Sequence, residues 1–271
     1  MASKRIWILG FILFLMEFSF GYYVAVQLQF VNVDAISRVA NAYYILYSRD
    51  PHLAAIGFIW NPLPSLMALP VMLLQPWIRE ISTAGISNIL LTAVFASLTL
   101  AALLNSMRNS NRKIDVIGWI CVVLFALNPF QFWYGANGMS EAIFGFFIVI
   151  AIIYWTKWFQ YNHVQPLIIA SMMLVFAFLT RYEAIPFCGA LTVATVIILV
   201  QRKTKFAKIE STLIVLLVPV IFTFCSWLWL NYSIMGDALH FLNSSYSNAG
   251  QSDYLKDNPK MATIIGDPML S

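Results

Sequence analysis

"PLPSLMALPVMLLQPW" occupies residues 62–77. Whether this stretch crosses a membrane decides how the rest of the chain is folded. It is apolar over about 16 residues, short of the roughly 20 that a helix needs to cross the hydrocarbon core. It also carries Pro62, Pro64, Pro70 and Pro76. Proline inside a helix removes a backbone donor and kinks the axis. The basic residues weigh against a crossing. Lys4 and Arg5 precede the first long apolar run, which places the N-terminus in the cytoplasm. The remaining clusters are Arg108/Arg112/Lys113, Lys157, and Arg202/Lys203/Lys205/Lys208. If 62–77 spans, all three fall outside and break the positive-inside rule. If it lies at the membrane edge, all fall inside. The expectation is therefore a juxtamembrane or half-inserted helix.

Working outward, seven apolar runs read as spans: 6–26, 86–104, 114–133, 142–158, 166–179, 184–200 and 213–230. The predicted fold is all-α, a polytopic membrane protein of about seven transmembrane helices. Its first extracytoplasmic loop, 27–85, is large and carries juxtamembrane helices. Backbone groups in lipid must be satisfied internally, which makes helices the default. The first run lacks a small-residue cleavage site and is long enough to be retained as a helix. Residues 1–231 read as one transmembrane module. Residues 232–271 read as a polar, turn-rich extracytoplasmic tail of a truncated or naturally short chain.

The composition agrees. Of 271 residues, 61% are hydrophobic and 10% charged, with mean hydropathy +0.77. Soluble domains carry about 25% charged residues, so lipid must supply part of the solvent. The basic residues are divided among short loops, which argues against a nucleic-acid partner. Cys121, Cys188 and Cys225 each sit in an apolar run without a Cys-x-x-Cys spacing, so neither a disulfide framework nor a thiolate metal site is expected. Walker, dinucleotide-binding and zincin motifs are absent.

With this topology the acids and histidines gather on one face. Asp34, Asp50, His52, Glu80, Glu141, Glu183, Asp237, His240, Asp253, Asp257 and Asp267 fall outside, whereas Asp115, His163 and Glu210 fall inside. Long outer loops alone account for the tail acids. They account less well for acids at span edges in aromatic, proline and arginine contexts: "NPFQFWYGANGMSE" at 128–141 and "LTRYEAIPF" at 179–187.

Asp34 opens a stretch in which Ile36, Val39, Tyr43 and Leu46 recur at helical spacing, with Asp34, Ser37, Arg38 and Asn41 on the other face. This describes a helix lying in the membrane interface. It would hold Asp34 at headgroup level, although an acid here also serves as a helix cap. Arg38, one turn on, is either an i,i+4 partner worth about 0.2–0.5 kcal/mol or a phosphate ligand, because guanidinium binds phosphate oxygens in pairs. Arg181 is a second such group, or a partner of Glu183. Asp50 and His52 in "SRDPHL" could begin a divalent-cation site with Glu141, Glu183 or His240, or form a simple turn; no metal is assigned. Glu17, within the first span, is expected to be protonated or bonded to a neighbouring helix. Trp60 and Trp133 lie at the outer face, where tryptophans anchor membrane proteins and could also stack on a sugar.

Together these residues resemble the integral-membrane glycosyltransferases of the GT-C class. The first span is followed by a large outer loop that opens with an Asp on a juxtamembrane helix and continues to a His and the "W-x-P-L-P" of Trp60–Pro64. The "PLP" of 62–64 is similar to the Pro-Pro-Leu element of the dolichyl-phosphate-mannose and aminoarabinose transferases. "NPF…GMSE" is similar to their acidic start of the fourth span. The resemblance covers roughly 5–231. Asp34 is followed by Ala35 where many members carry an acidic pair.

The resemblance implies an enzyme in the plasma, inner or endoplasmic-reticulum membrane, with its active face extracytoplasmic. The donor would be a polyprenyl-phosphate-linked sugar and the acceptor an unidentified glycan, lipid or protein. Asp34 would be the general base. Arg38, Arg181 and His52 would serve the phosphate, and Asp50, Glu141, Glu183 and Trp60 would support the acceptor or orient the arginines. No cofactor is assigned. The alternatives are a non-catalytic membrane subunit of the same fold and a small-molecule transporter.

Overall fold

The computed structural model describes residues 2–108, 114, 116–245, 247 and 250. Arg112, Lys113, Asp115, Asn248 and the tail from residue 251, with Asp253, Asp257 and Asp267, lie outside the described residues. Among those described, every regular element is a helix.

Helix α1 (Ala2–Tyr22) widens into a π-helical turn over Tyr23–Gln27. Helix α2 (Val33–Tyr47) begins where the Asn32 side chain accepts the Asp34 N–H at 3.0 Å, which satisfies an otherwise unpaired donor of the first turn. Helix α3 (Leu63–Met72) starts among prolines that are tolerated in a first turn, where no backbone donor is needed. Ten residues rise only about 15 Å, half a bilayer. After the short α4 (Glu80–Thr83), Gly85 turns the chain at φ 69° into α5 (Ile86–Met107). Then come α6 (Val116–Ala126), α7 (Pro129–Ala136), α8 (Glu141–Tyr161), α9 (Val164–Thr180), α10 (Ala184–Gln201), α11 (Phe206–Met235) and the short α12 (His240–Asn243).

Five helical stretches are long and apolar enough to cross a membrane: Lys4–Gln27, α5, α8, α10 and α11. The pair α6 and α7 adds a sixth if it is one span bent by 52°. The bend has a local cause. Asn128 caps α7 by accepting the Phe130 and Gln131 N–H groups, and Pro129 follows at the first helical position. Trp7, Phe11 and Ile117 are each at least 60% exposed. Such outward-facing apolar surface, on helices of this length, is that of an integral membrane protein.

The fifth expected span, 166–179, falls within α9, a helix of 17 residues. At 1.5 Å per residue it reaches about 25 Å, short of the roughly 30 Å hydrocarbon core. Among the described residues five helices, or six with the bent pair, are long and apolar enough to span, and α9 is a shorter apolar helix beside them.

The chain divides into two compact units. The first comprises Met1–Ile56 and Asn61–Phe222; the second comprises Gly57–Trp60 and Thr223–Ser271. In the first unit one core joins α8, α9, α10 and α11 around Ala151, Leu174, Leu199 and Leu216. A second joins α1, α5 and α6 around Leu13, Leu104 and Val122. A third seats α3 and α4 on α2 through Val39, Ala42, Ala68, Met72 and Ile81. Within the second unit, Phe58 stacks on Trp227 with ring centres 5.4 Å apart.

Candidate functional site

The best-formed polar cluster lies where three helices of the first unit begin. Asp34 is in the first turn of α2, Glu141 opens α8, and Glu183 is the N-cap of α10. Each acid thus sits at the positive end of a helix dipole, which favours a carboxylate by about 0.3–1 kcal/mol. The helix dipole accounts for each acid singly. It does not explain why a buried Arg38 and a half-buried Arg181 lie among them.

Arg181 leaves α9 in extended conformation, φ −153° and ψ 145°. Its Nε and Nη2 donate to the two carboxylate oxygens of Glu183, at 3.2 and 2.6 Å. Its Nη1 donates to Glu141 Oε1 at 2.6 Å and to Ser140 Oγ at 3.2 Å. Charge-assisted bonds of this length are the strong class. Hydrogen bonds and charge from Glu183 and Glu141 hold the Arg181 guanidinium above its ordinary value, against the burial that lowers it. Glu183 in turn is held below the usual carboxylate range by its bond from Arg181, against partial burial.

Arg38 is 3% exposed. Its Nη1 donates to the Asp34 backbone carbonyl at 3.4 Å, and its own carbonyl accepts from Ser65 Oγ on α3 at 3.0 Å. Burial pushes its guanidinium below the ordinary value, and the Arg181 charge pushes the same way; Glu141, Asp34 and Glu183 oppose them. Arg38 therefore feels the fields of all four other members. The expected polar face of α2 needs correction here. Arg38 points inward with Ala35, Ala42 and Ile45, because α3 and α4 pack on that side.

The other anticipated residues lie elsewhere. Asp50 and His52 form an exposed turn, with His52 Nδ1 2.6 Å from the Asp50 carbonyl and 3.8 Å from its carboxylate. Their side chains are 94% and 54% exposed, and His52 does not join Arg38 or Arg181. Trp60 falls in the second unit. Among the described residues no three His, Cys, Asp or Glu side chains come together as a metal would need. Sequence reasoning missed Ser140, fully buried and bonded to Arg181; its only signal was its place beside Glu141. Glu17 is fully buried, but neither carboxylate oxygen has a hydrogen-bond partner among the described residues.

Chemically, the cluster can bind oxyanions and move a proton. Two guanidiniums face three carboxylates, and three helix N-termini, each equivalent to roughly half a positive charge, tip the balance positive. Asp34 is only half-buried and adjoins Arg38, so its carboxylate can be reached from outside the fold. No family model, curated protein or solved structure matches the chain.

Proposed function

We propose that the protein is a membrane glycosyltransferase, which moves a sugar from a polyprenyl-phosphate donor to an acceptor hydroxyl at the extracytoplasmic face. The observation that carries this reading is the convergence of Asp34, Arg38, Glu141, Arg181 and Glu183 at one end of the first unit. A proton acceptor beside one guanidinium, with a second guanidinium acting on the first, is what transfer from a lipid phosphate requires.

In this reading the acceptor oxygen attacks the anomeric carbon while Asp34 takes its proton, an assistance typically worth about 10²–10⁴-fold. The carbon–oxygen bond to phosphate breaks, and the lipid phosphate leaves with the electron pair. Arg38 and Arg181 neutralise the charge as it develops there. Attack opposite the leaving group inverts the anomeric centre. Glu141 positions Arg181. The bent α6–α7 pair and α9 complete seven crossings, with the N-terminus cytoplasmic.

A transporter is the second reading because of one observation: buried Glu17 packs against Gly135 of α7, one half of the bent α6–α7 pair. Broken helices and midplane acids mark many transporter sites.

Mass spectrometry of lipids retained by the purified protein tests the donor class, with a polyprenyl-phospho-sugar as the expected species. Asp34→Asn separates the activities. The transferase loses sugar transfer while expression and thermal stability hold. A non-catalytic subunit or a transporter tolerates the change.

A further inference from the structure

The two acids on Arg181 differ in one respect. Glu141 comes from another helix, forty residues away in sequence, and its side chain is 21% exposed. Glu183 comes from two residues along the same loop, and its side chain is 57% exposed. Arg181 itself is 24% exposed. Glu141 and Ser140 thus form an inner wall on Nη1, whereas Glu183 covers the outward Nε/Nη2 edge.

That edge is the part of a guanidinium that grips phosphate in a paired geometry. A carboxylate and a phosphate present the same two-oxygen face to it. With Glu183 in place, the cluster holds three carboxylates against Arg38 and Arg181. With Glu183 turned away, the two acids left balance the two arginines, and the starts of α2, α8 and α10 leave the opening positive. Releasing Glu183 requires only rotation of a side chain already more than half in solvent, and no helix has to move.

We propose that Glu183 is a displaceable internal anion: its carboxylate occupies the phosphate-binding edge of Arg181 until a phosphate-bearing ligand takes its place. This rests on reading the cluster as a phosphate-handling transfer site. It adds that the site is self-occupied at rest and selects ligands whose phosphate outcompetes a tethered carboxylate.

The test uses the full chain in neutral-lipid nanodiscs. Two probes are titrated: inorganic sulfate, as a free tetrahedral anion, and farnesyl monophosphate, as a membrane-borne headgroup. Glu183→Gln keeps the shape of the side chain and removes its charge. It should bind about 5–10-fold more tightly than the wild type, and Arg181→Gln should erase binding in both backgrounds. Glu183→Asp, too short to span both Arg181 nitrogens, should give a smaller gain and serves if the Gln variant does not fold. A gain with both probes supports displacement by any phosphate-like anion; a gain with farnesyl monophosphate alone supports displacement by a lipid headgroup. Equal or weaker binding by the folded variants, or binding indifferent to Arg181→Gln, overturns the proposal. Sugar transfer by the wild type without an affinity gain in the variants sinks the displacement and leaves the transferase reading standing. An affinity gain without transfer from any lipid-phosphate sugar does the reverse.

Discussion

The carboxyl group of Glu17 lies directly against Gly135, where any side-chain carbon on Gly135 would overlap it. One turn further along α1, Gly21 faces the Ala136 carbonyl oxygen in the same way. Helices α1 and α7 thus pack closely at two glycines, Gly21 against backbone and Gly135 against a side chain, the approach that small residues allow inside membranes.

This contact predicts a rescue pattern. Gly135→Ala should lower stability by about 1–3 kcal/mol, as overpacking does, because the new methyl meets the Glu17 carboxyl. Glu17→Ala in the same chain should recover most of that loss. Gly21→Ala should have no such rescue, because its obstacle is backbone. Thermal unfolding in detergent of the single and double variants measures the coupling. Additive effects of Gly135→Ala and Glu17→Ala would contradict the contact.

The Arg181–Glu183 pair predicts a pH limit. Its bond from Arg181 holds the folded Glu183 carboxyl below its ordinary value. As pH falls, the unfolded chain therefore takes up this proton first. The contribution is complete above the unfolded value, about 4.3, and is lost as pH falls through the lower folded value. Glu183 is more than half exposed, so the contribution is small, under about 1 kcal/mol after screening. The melting temperatures of Glu183→Gln and the wild type should differ by a constant amount from about pH 7 to 5 and converge near pH 3. A difference that grows on acidification would reverse the sign.

Polar side chains tie the later helices together inside the apolar core. Trp155 Nε1 donates to Thr195 Oγ1 at 2.9 Å between α8 and α10, and Ser171 Oγ donates to the Leu216 carbonyl at 2.8 Å between α9 and α11. Hydrogen bonds of this kind in membranes average about 0.6 kcal/mol, with a maximum near 1.7. Thr195→Val keeps the volume and removes the acceptor, and it should cost a similar amount in unfolding by denaturing detergent. A neutral result would mean that Trp155 finds another acceptor.

Topology gives a separate check. A cysteine replacing exposed Thr83 on α4, in a chain freed of Cys121, Cys188 and Cys225, should react with an impermeant maleimide added from the extracytoplasmic side. Labelling only after the membrane is breached would place 62–77 across the bilayer and reverse every later loop.

Helix α9 marks where local reading stopped. Its residues are as apolar as those of a span, but Asn162 breaks the preceding helix at φ 58° and Arg181 ends α9 in extended conformation, leaving 17 residues. Hydropathy registers what a segment can dissolve in, not where capping will cut it. The 52° bend between α6 and α7 escaped for the same reason, although Asn128-Pro129 was its written signal.

The amino-acid order alone determined that this chain is helical and dissolves in lipid, because hydrophobic burial and the demand for internal backbone pairing depend on composition and short-range pattern. It also marked Asp34, Arg38, Glu141, Arg181 and Glu183 as unusual, because charge at a span edge is costly unless it is used or paired. Tertiary packing decided which of them meet. It turned Arg38 inward under α3, brought Glu141 to Arg181 across forty residues, and left Asp50 and His52 in solvent. Such pairings depend on where three helix N-termini converge, and that is set by side chains interlocking between helices far apart in the chain, which no local periodicity encodes.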